Sequence, residues 1–490
     1  MSTRAISSVA IVGGGIVAWS AAAAIRRQLP AIRVTVIPVP VPADALADRI
    51  GCTLPSIGDF HGDLGLTEAD TVVRAGSGFR LGTSFEGWSG EGSRFTHSYG
   101  EYGRPLAASA FYHHWLRAHR LDEAAPFDQY SAGAVMASAD RFLPSERGPA
   151  SRIAGYAYGL HVDPNRYTEM MRAFALHLGA EERSGSVRDL RIREDGFVDA
   201  ILLGDDDLRA DLFVDASGPQ ALLFSKVEDD REDWSAYFVA DRLAIADEPA
   251  TTEPSPLDHA RAASNGWAWE ASSPARKSRG RVYSSAHLDD AQNDLIGYGE
   301  PVSLRPGRLS HPWVRNCVAI GDAAVAIEPL DWTNLHLAHS AIDRLVAMMP
   351  ATDCNPVELW DYNRQMNVEV DRVRDFVMLH YVASYRPDDP FWQDASSRPL
   401  PASLEHTLLQ WNERGRLPFY EEETFSRDSW AAVLIGQGAI PRRLDPLLNS
   451  VPEKESARAM EQLRNAIQSA VAQAPPQSIY LRNLALQGTR

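Results

Sequence analysis

Three groups of residues carry most of the chemistry that this sequence can offer. Gly13, Gly14 and Gly15, with Ala18 one turn later, make the kind of bend at which backbone approaches a pyrophosphate. In such a bend Gly13 allows the turn, Gly15 keeps a side chain out of the anion's path, and a small residue at 18 permits close helix packing. Some 300 residues on, Gly321-Asp322 ends an apolar run, where a carboxylate can accept hydrogen bonds from the hydroxyls of a ribityl chain. Histidines pair as His113-His114 and His336 with His339, but 113 and 114 point to different faces and no third ligand is visible, so no metal centre is expected. Arg276-Lys277-Ser278-Arg279-Gly280-Arg281 has the charge to hold a phosphate, although a solvated loop is the preferred expectation.

Positioning these residues requires a strand, a tight turn and a helix. Val9 to Val12 is a β-branched run, Trp19 to Ile25 has helical composition, and Pro30 marks its end. A second strand, Arg33 to Ile37, follows, and Pro38 stands where a dinucleotide fold normally presents an acid to the ribose. Nucleotide binding is still expected, with weakened affinity. Leu212 to Asp215 and Cys317 to Ile320 read as buried strands, Leu335 to Met349 as a helix, and Ser235 to Ser285 as an antiparallel sheet. Asp361 to Tyr381 carries Val368, Val373, Phe376 and Leu379 at helical spacing, mostly for the core. Gln473 to Gln477 looks like a short linker before a terminal segment.

Composition bounds the classes. The chain has 490 residues, 44% hydrophobic and 23% charged, which fits a globular protein with a sizeable core and excludes disorder. Its 48 basic and 65 acidic side chains leave a net charge of -17, so nucleic acid and anionic membranes are not expected partners. Only Lys226, Lys277 and Lys454 are lysines, which leaves few candidates for a neutral amine. Cys52, Cys317 and Cys354 are odd in number and widely spaced, so a reduced cytoplasmic setting is expected.

The assembled motifs resemble the flavin-dependent tryptophan halogenases over nearly the whole chain. The likeness rests on the glycine turn followed by Trp19; on Gly266-Trp267-Ala268-Trp269 ahead of Arg281-Val282-Tyr283-Ser284-Ser285; on Gly321-Asp322-Ala323-Ala324 with Glu328-Pro329-Leu330; on Arg374-Asp375-Phe376-Val377-Met378-Leu379-His380-Tyr381; and on Pro390-Phe391-Trp392. The resemblance implies an α/β, FAD-dependent monooxygenase-like fold: a Rossmann-type FAD domain, an antiparallel substrate-side sheet and a helical C-terminal extension. Residues 1–355 would form the FAD module, with the substrate-side sheet interleaved at about 60–150 and 225–310, and 356–490 the extension. It further implies reduced FAD supplied by a separate reductase, a halide, a small aromatic substrate and a homodimer.

Residue by residue, the likeness assigns FAD contacts to Gly13, Gly15, Ala18, Thr53, Gly321, Asp322, Leu330, Thr333 and Asn334. In the family, hypohalous acid reaches a lysine that follows a Phe; the matching pair here is Phe79-Arg80. A guanidinium donates hydrogen bonds but offers no free amine. The family glutamate falls on Asp331, and the Ser-Thr-Gly after it becomes Trp332-Thr333-Asn334, with Asn334 expected to tolerate a left-handed backbone in place of Gly. His97 and Tyr99 match rings that stack on the indole, and Trp430 is matched to the aromatic facing them. Trp267 and Trp269 share a strand face, packing either near the flavin ring or in the core. Three functions follow: a halogenase of an indole or other aromatic with Arg80 orienting the oxidant and Asp331 as acid/base partner, a flavin monooxygenase or oxidase on the same fold, or a paralogue that binds without turnover.

Overall fold

Every side chain of the Ser8–Val12 strand is buried, which requires cover on both faces and places it in the interior of a parallel sheet. A computed structural model of the protein, describing residues 4–144, 155–204, 206–250, 253–294, 297–384 and 386–488, shows how this is met. Six strands lie in the order Trp313–Val314, Cys317–Ala319, Leu212–Asp215, Ser8–Val12, Arg33–Ile37, Glu181–Glu182. All pair in parallel except Trp313–Val314, which turns back on its neighbour. The chain steps from Ser8–Val12 to a partner on either side, and such a switch point leaves a crevice beyond the carboxyl ends of the strands. The Ile16–Gln28 helix covers the sheet with ten consecutive buried residues, Ile16 to Ile25.

The chain divides into two units, each assembled from three stretches. The first comprises Met1–Ser77, Val162–Ser235 and Val302–Asp371; the second comprises Gly78–His161, Ala236–Pro301 and Arg372–Arg490. The first holds the parallel sheet, the Asn334–Ala347 helix and two three-stranded sheets. In the second, the strands Arg242–Pro249, Arg276–Tyr283, Gly266–Ser272, Leu257–Ala263, Gly82–Glu86 and Arg94–Ser98 are hydrogen-bonded neighbours in that order. Gly78–Arg80 pairs separately with Gly159–His161. From Pro356 onward the described elements are all helical, and Gln473 ends one helix while Gln477 begins the next.

The basic run at 276–281, expected as a solvated loop, is instead an interior strand of the second unit's sheet. Its charges are matched by acids on both flanking strands: Arg276 lies 3.2 Å from Asp247, Lys277 lies 2.9 Å from Glu270, and Arg279 pairs with Glu248. Cross-strand pairs of opposite charge stabilise a sheet, so the acids on two neighbours turned an apparently hydrophilic loop into a strand. Trp267 and Trp269 both face inward with ring centroids 5.6 Å apart. Trp267 also lies 6.1 Å from Trp88, so the pair belongs to the core of the second unit. Among the described residues no helix is long and apolar enough to cross a membrane.

Trp269 covers Gly280 so closely that a Cβ built there would fall 2.0 Å from the indole. Gly280→Ala therefore forces apart two interior strands, and overpacking of this kind costs about 1–3 kcal/mol. Urea denaturation should show that loss, whereas alanine at Gly58, where the backbone is ordinary and a Cβ meets nothing within 4 Å, should cost less.

Candidate active site

In the first unit the expected cofactor residues gather at the carboxyl ends of the parallel strands. A Cβ on Gly13 would lie 2.4 Å from the Ala216 carbonyl oxygen and 2.8 Å from the Ala18 methyl, so both small residues are needed for the turn to close. Gly321 has φ +61°, a left-handed value that suits glycine, and carries the chain from the Cys317–Ala319 strand to Asp322. A cavity of about 410 Å³ lies beside the end of the Arg33–Ile37 strand, lined by Pro38 to Pro42, Ser217, Gln220 and Leu222.

The loop after Asp322 departs from expectation. Asn334 begins the Asn334–Ala347 helix, and the left-handed residues are Asp331, at φ 58°, and Trp332, at φ 63°. Two consecutive non-glycine residues in that region store strain on the order of 1–3 kcal/mol each, a cost that persists chiefly where surroundings impose it at functional sites. Trp332 is held there by burial. The Asn334 amide donates to the Ile327 carbonyl at 2.9 Å and ties the loop down. The Thr333 hydroxyl and the Asn334 side-chain oxygen are buried with no hydrogen-bond partner in the protein, so polar groups are presented to any ligand seated here.

FAD suits the unsatisfied Thr333 and Asn334 oxygens and the cavity beside the sheet, whereas the N–H donors of the glycine bend already face a carboxylate. One neighbour of the bend was not foreseen: Asp48, in the short Leu46–Arg49 helix, accepts a hydrogen bond from the Val17 N–H at 2.9 Å. Burial raises its carboxyl to about 6 even though backbone donors oppose the shift. Asp322 accepts from the Ala47 N–H at 2.8 Å, and burial pushes its carboxyl well up.

In the second unit, strand register builds a row of polar groups. Asp258 is paired with Thr83, and Thr83 with His97, so the three share one face of the sheet. Arg80, with no exposure, closes the row: its guanidinium is hydrogen-bonded to Asp258 and donates to the Thr83 hydroxyl at 2.7 Å. His161, two positions along the strand partnered with Arg80, bonds the other oxygen of Asp258. Burial alone would raise the Asp258 carboxyl, but Arg80 and His161 outweigh it and hold it below the ordinary range.

An aromatic cluster adjoins this row. The guanidinium of Arg80 lies 5.0 Å above the Tyr99 ring, whose hydroxyl is buried with no partner in the protein. His97 meets Tyr99 edge-on at 5.8 Å and lies 5.5 Å from Phe376, which in turn contacts Trp430 at 5.1 Å. Trp430 and Phe425 line a cavity of about 430 Å³ with Tyr420, Leu417, Pro418 and Arg427. Arg372 stacks on Tyr420 at 3.9 Å and on Trp430 at 4.7 Å, while Glu423 accepts from both Arg372 and the Trp430 indole N–H. The second unit thus brings Arg80, His97, Tyr99 and Trp430 together. Asp258, His161 and Phe376 complete the arrangement, and the one sign of Asp258 in the sequence is an acid on the strand face it shares with Ala260 and Ala262.

The family model for tryptophan halogenase matches residues 8–453. The chain belongs to the tryptophan halogenase family. It is accordingly an enzyme of the FAD-dependent oxidoreductase type. BrvH, a flavin-dependent halogenase from Brevundimonas sp. BAL3, superposes with a TM-score of 0.92 at 33% identity, covering 98% of this chain and 99% of that one. Tryptophan 7-halogenase RebH of Lentzea aerocolonigenes is 26% identical over 91% of this chain and 92% of its own length. The 7-chloro-L-tryptophan 6-halogenase KtzR of Kutzneria sp. (strain 744) is also 26% identical, over 88% of this chain and 90% of its own.

Two predictions follow from these charges. Asp258→Asn leaves the Arg80 charge buried without its anion and should cost about 3–5 kcal/mol, whereas adding Arg80→Met should recover much of that loss in denaturant titrations. Asp48 behaves in the opposite sense. Its folded carboxyl titrates near 6 against 3.8 ordinarily, so its contribution to stability is full below about pH 4 and is lost as pH rises through 6. Asp48→Asn should therefore raise the melting temperature at pH 8, by up to about 3 kcal/mol in stability, and leave it little changed at pH 4.

Proposed function

We propose that this family member oxidises a flat aromatic substrate, an indole or related ring, without using an amine at position 80 as a halogen carrier. The observation that carries the reading is the burial of Arg80 against Asp258. A lysine in the family is matched by a guanidinium whose donors are engaged by Asp258 and Thr83, so no nucleophilic nitrogen is available to take up a halogen.

FAD would be held in the first unit by the backbone at Gly13, Gly15 and Ala18, by Thr53, Gly321 and Asp322, and by Leu330, Thr333 and Asn334. The cavity beside Pro38 has room for part of the nucleotide, and its neutral lining accords with modest affinity. The chemistry such a cofactor supplies is two-electron activation of dioxygen. The reduced cofactor would come from a separate reductase, with halide as a co-substrate.

In the second unit, His97, Tyr99 and Trp430 would hold the substrate ring, since flat aromatic faces suit one another. The Tyr99 hydroxyl would orient a polar substituent. Asp331, in the first unit, is further proposed as an acid/base group. Arg80, sitting over the Tyr99 ring, would hold that ring against the substrate. A second reading, direct oxygen transfer to the substrate, draws on the same observation, because that route needs no amine. The chain is further proposed to act as a homodimer.

The test is the purified chain supplied with a flavin reductase, chloride or bromide, and a panel of indoles including tryptophan, with products followed by mass spectrometry. Halogenated or oxygenated indoles other than tryptophan are expected, with little or no halotryptophan. Robust chlorination or bromination of tryptophan by the unmodified chain would mean that a guanidinium can do the lysine's work and would overturn the reading. Arg80→Lys alone should restore little, because Asp331 and Trp332 differ as well; the triple variant with Asp331→Glu and Trp332→Ser is the stronger comparison.

A further inference from the structure

The Ile16–Gln28 helix has no acid in its first turn, and its N-cap, Gly15, offers no side chain to the exposed donors. Four N–H groups at a helix start need partners, and the partial positive charge there attracts an anion. That anion comes from 31 residues away. Asp48 Oδ1 lies 2.9 Å from the Val17 nitrogen, and the Ile16 N–H also stabilises the carboxylate. A Cβ built on Gly15 would fall 2.3 Å from both Cγ and Oδ1 of Asp48, so the carboxylate fills the space that the missing side chain leaves open. The next residue back, Ala47, donates its N–H to Asp322 at 2.8 Å. Two adjacent residues of a single helical turn therefore engage both positions at which a flavin dinucleotide would bind.

We propose that Asp48 occupies the anion position of the glycine bend as an internal counterpart of a cofactor pyrophosphate, and that a dinucleotide binds only by displacing it. This inference rests on the FAD assignment above. The two anions compete for the same N–H donors, and they cannot share them because their charges repel at short range. The segment thereby lowers affinity for any ligand that brings a phosphate to the bend, and leaves affinity for a phosphate-free flavin unchanged.

The experiment measures dissociation constants of FAD, ADP and riboflavin for the full chain at pH 7.5, by flavin fluorescence and calorimetry. Asp48→Asn and Asp48→Gly should tighten FAD and ADP at least tenfold and leave riboflavin within twofold. In the unmodified chain, FAD should speed hydrogen exchange of the Ala47 and Asp48 amides, a readout that needs no variant to fold. If the unmodified chain binds FAD and the variants bind it equally or more weakly, or if exchange at 47–48 slows on FAD addition, Asp48 is not a competitor, and the FAD assignment stands without it. If neither the unmodified chain nor either variant binds FAD at millimolar concentration, the FAD assignment itself fails and the competition fails with it. Equal tightening of riboflavin would also overturn the proposal, because the effect would then not run through phosphate.

Discussion

A guanidinium buried to zero exposure cannot shed its charge, and much of the second unit is arranged around that constraint. A lysine in such a place escapes the cost of burial by losing a proton; Arg80 needs a permanent anion instead. Asp258 supplies it, and the requirement extends outward. Asp258 must be held by strand register opposite Thr83, Thr83 opposite His97, and His161 must reach the second carboxylate oxygen. The same charge stands over Tyr99. The charge at position 80 therefore decides how an entire polar row is neutralised, and the ring beneath it belongs to the aromatic cluster.

The first unit meets a related constraint with the opposite sign. Its open helix end must find negative charge, and it finds Asp48. The buried Asp48 carboxyl lies close enough to Asp322 to disfavour its ionisation. The left-handed pair Asp331 and Trp332 adds backbone strain in the same unit. Hydrophobic burial elsewhere, from Val9 through Ile25 and along the Leu212–Asp215 strand, offsets these local costs.

Much of the fold was legible from local pattern. The strands at 9–12, 33–37 and 212–215, the helices near 335–349 and 361–381, and the break at 473–477 stand where apolar spacing and glycine or proline place them, and the family likeness joined them into one architecture. The basic strand at 276–281 was hidden because its partners lie on two other strands, and charge alone reads as solvent. The placing of Gly13, Gly15 and Asp322 at strand-ending turns was legible because a motif carries it. Asp258, His161 and Asp48 escaped for one reason: each acts through a partner far off in sequence, at 80, 258 and 17, and spacing carries no trace of a contact made by register or by a helix end. The expectation for Asn334 failed because left-handed conformation was assigned by residue preference, whereas burial of Trp332 and the tether from Asn334 to Ile327 moved it upstream.

Each unit is assembled from three separated stretches, and the chain passes from one to the other at 77/78, 161/162, 235/236, 301/302 and 371/372. Emerging from the ribosome from its N-terminus, the chain cannot complete the parallel sheet until the strands near residue 319 have been made, and the second unit must wait for its C-terminal helices. Long-range pairing of this kind is slow, and it leaves apolar strands such as Ser8–Val12 exposed for most of synthesis. Evolution is constrained in the same way: a single recombination point cannot exchange one whole unit for that of a relative, because every crossover divides at least one of them. Divergence in such a chain must proceed by substitution in place, one side chain at a time within an architecture that stays the same.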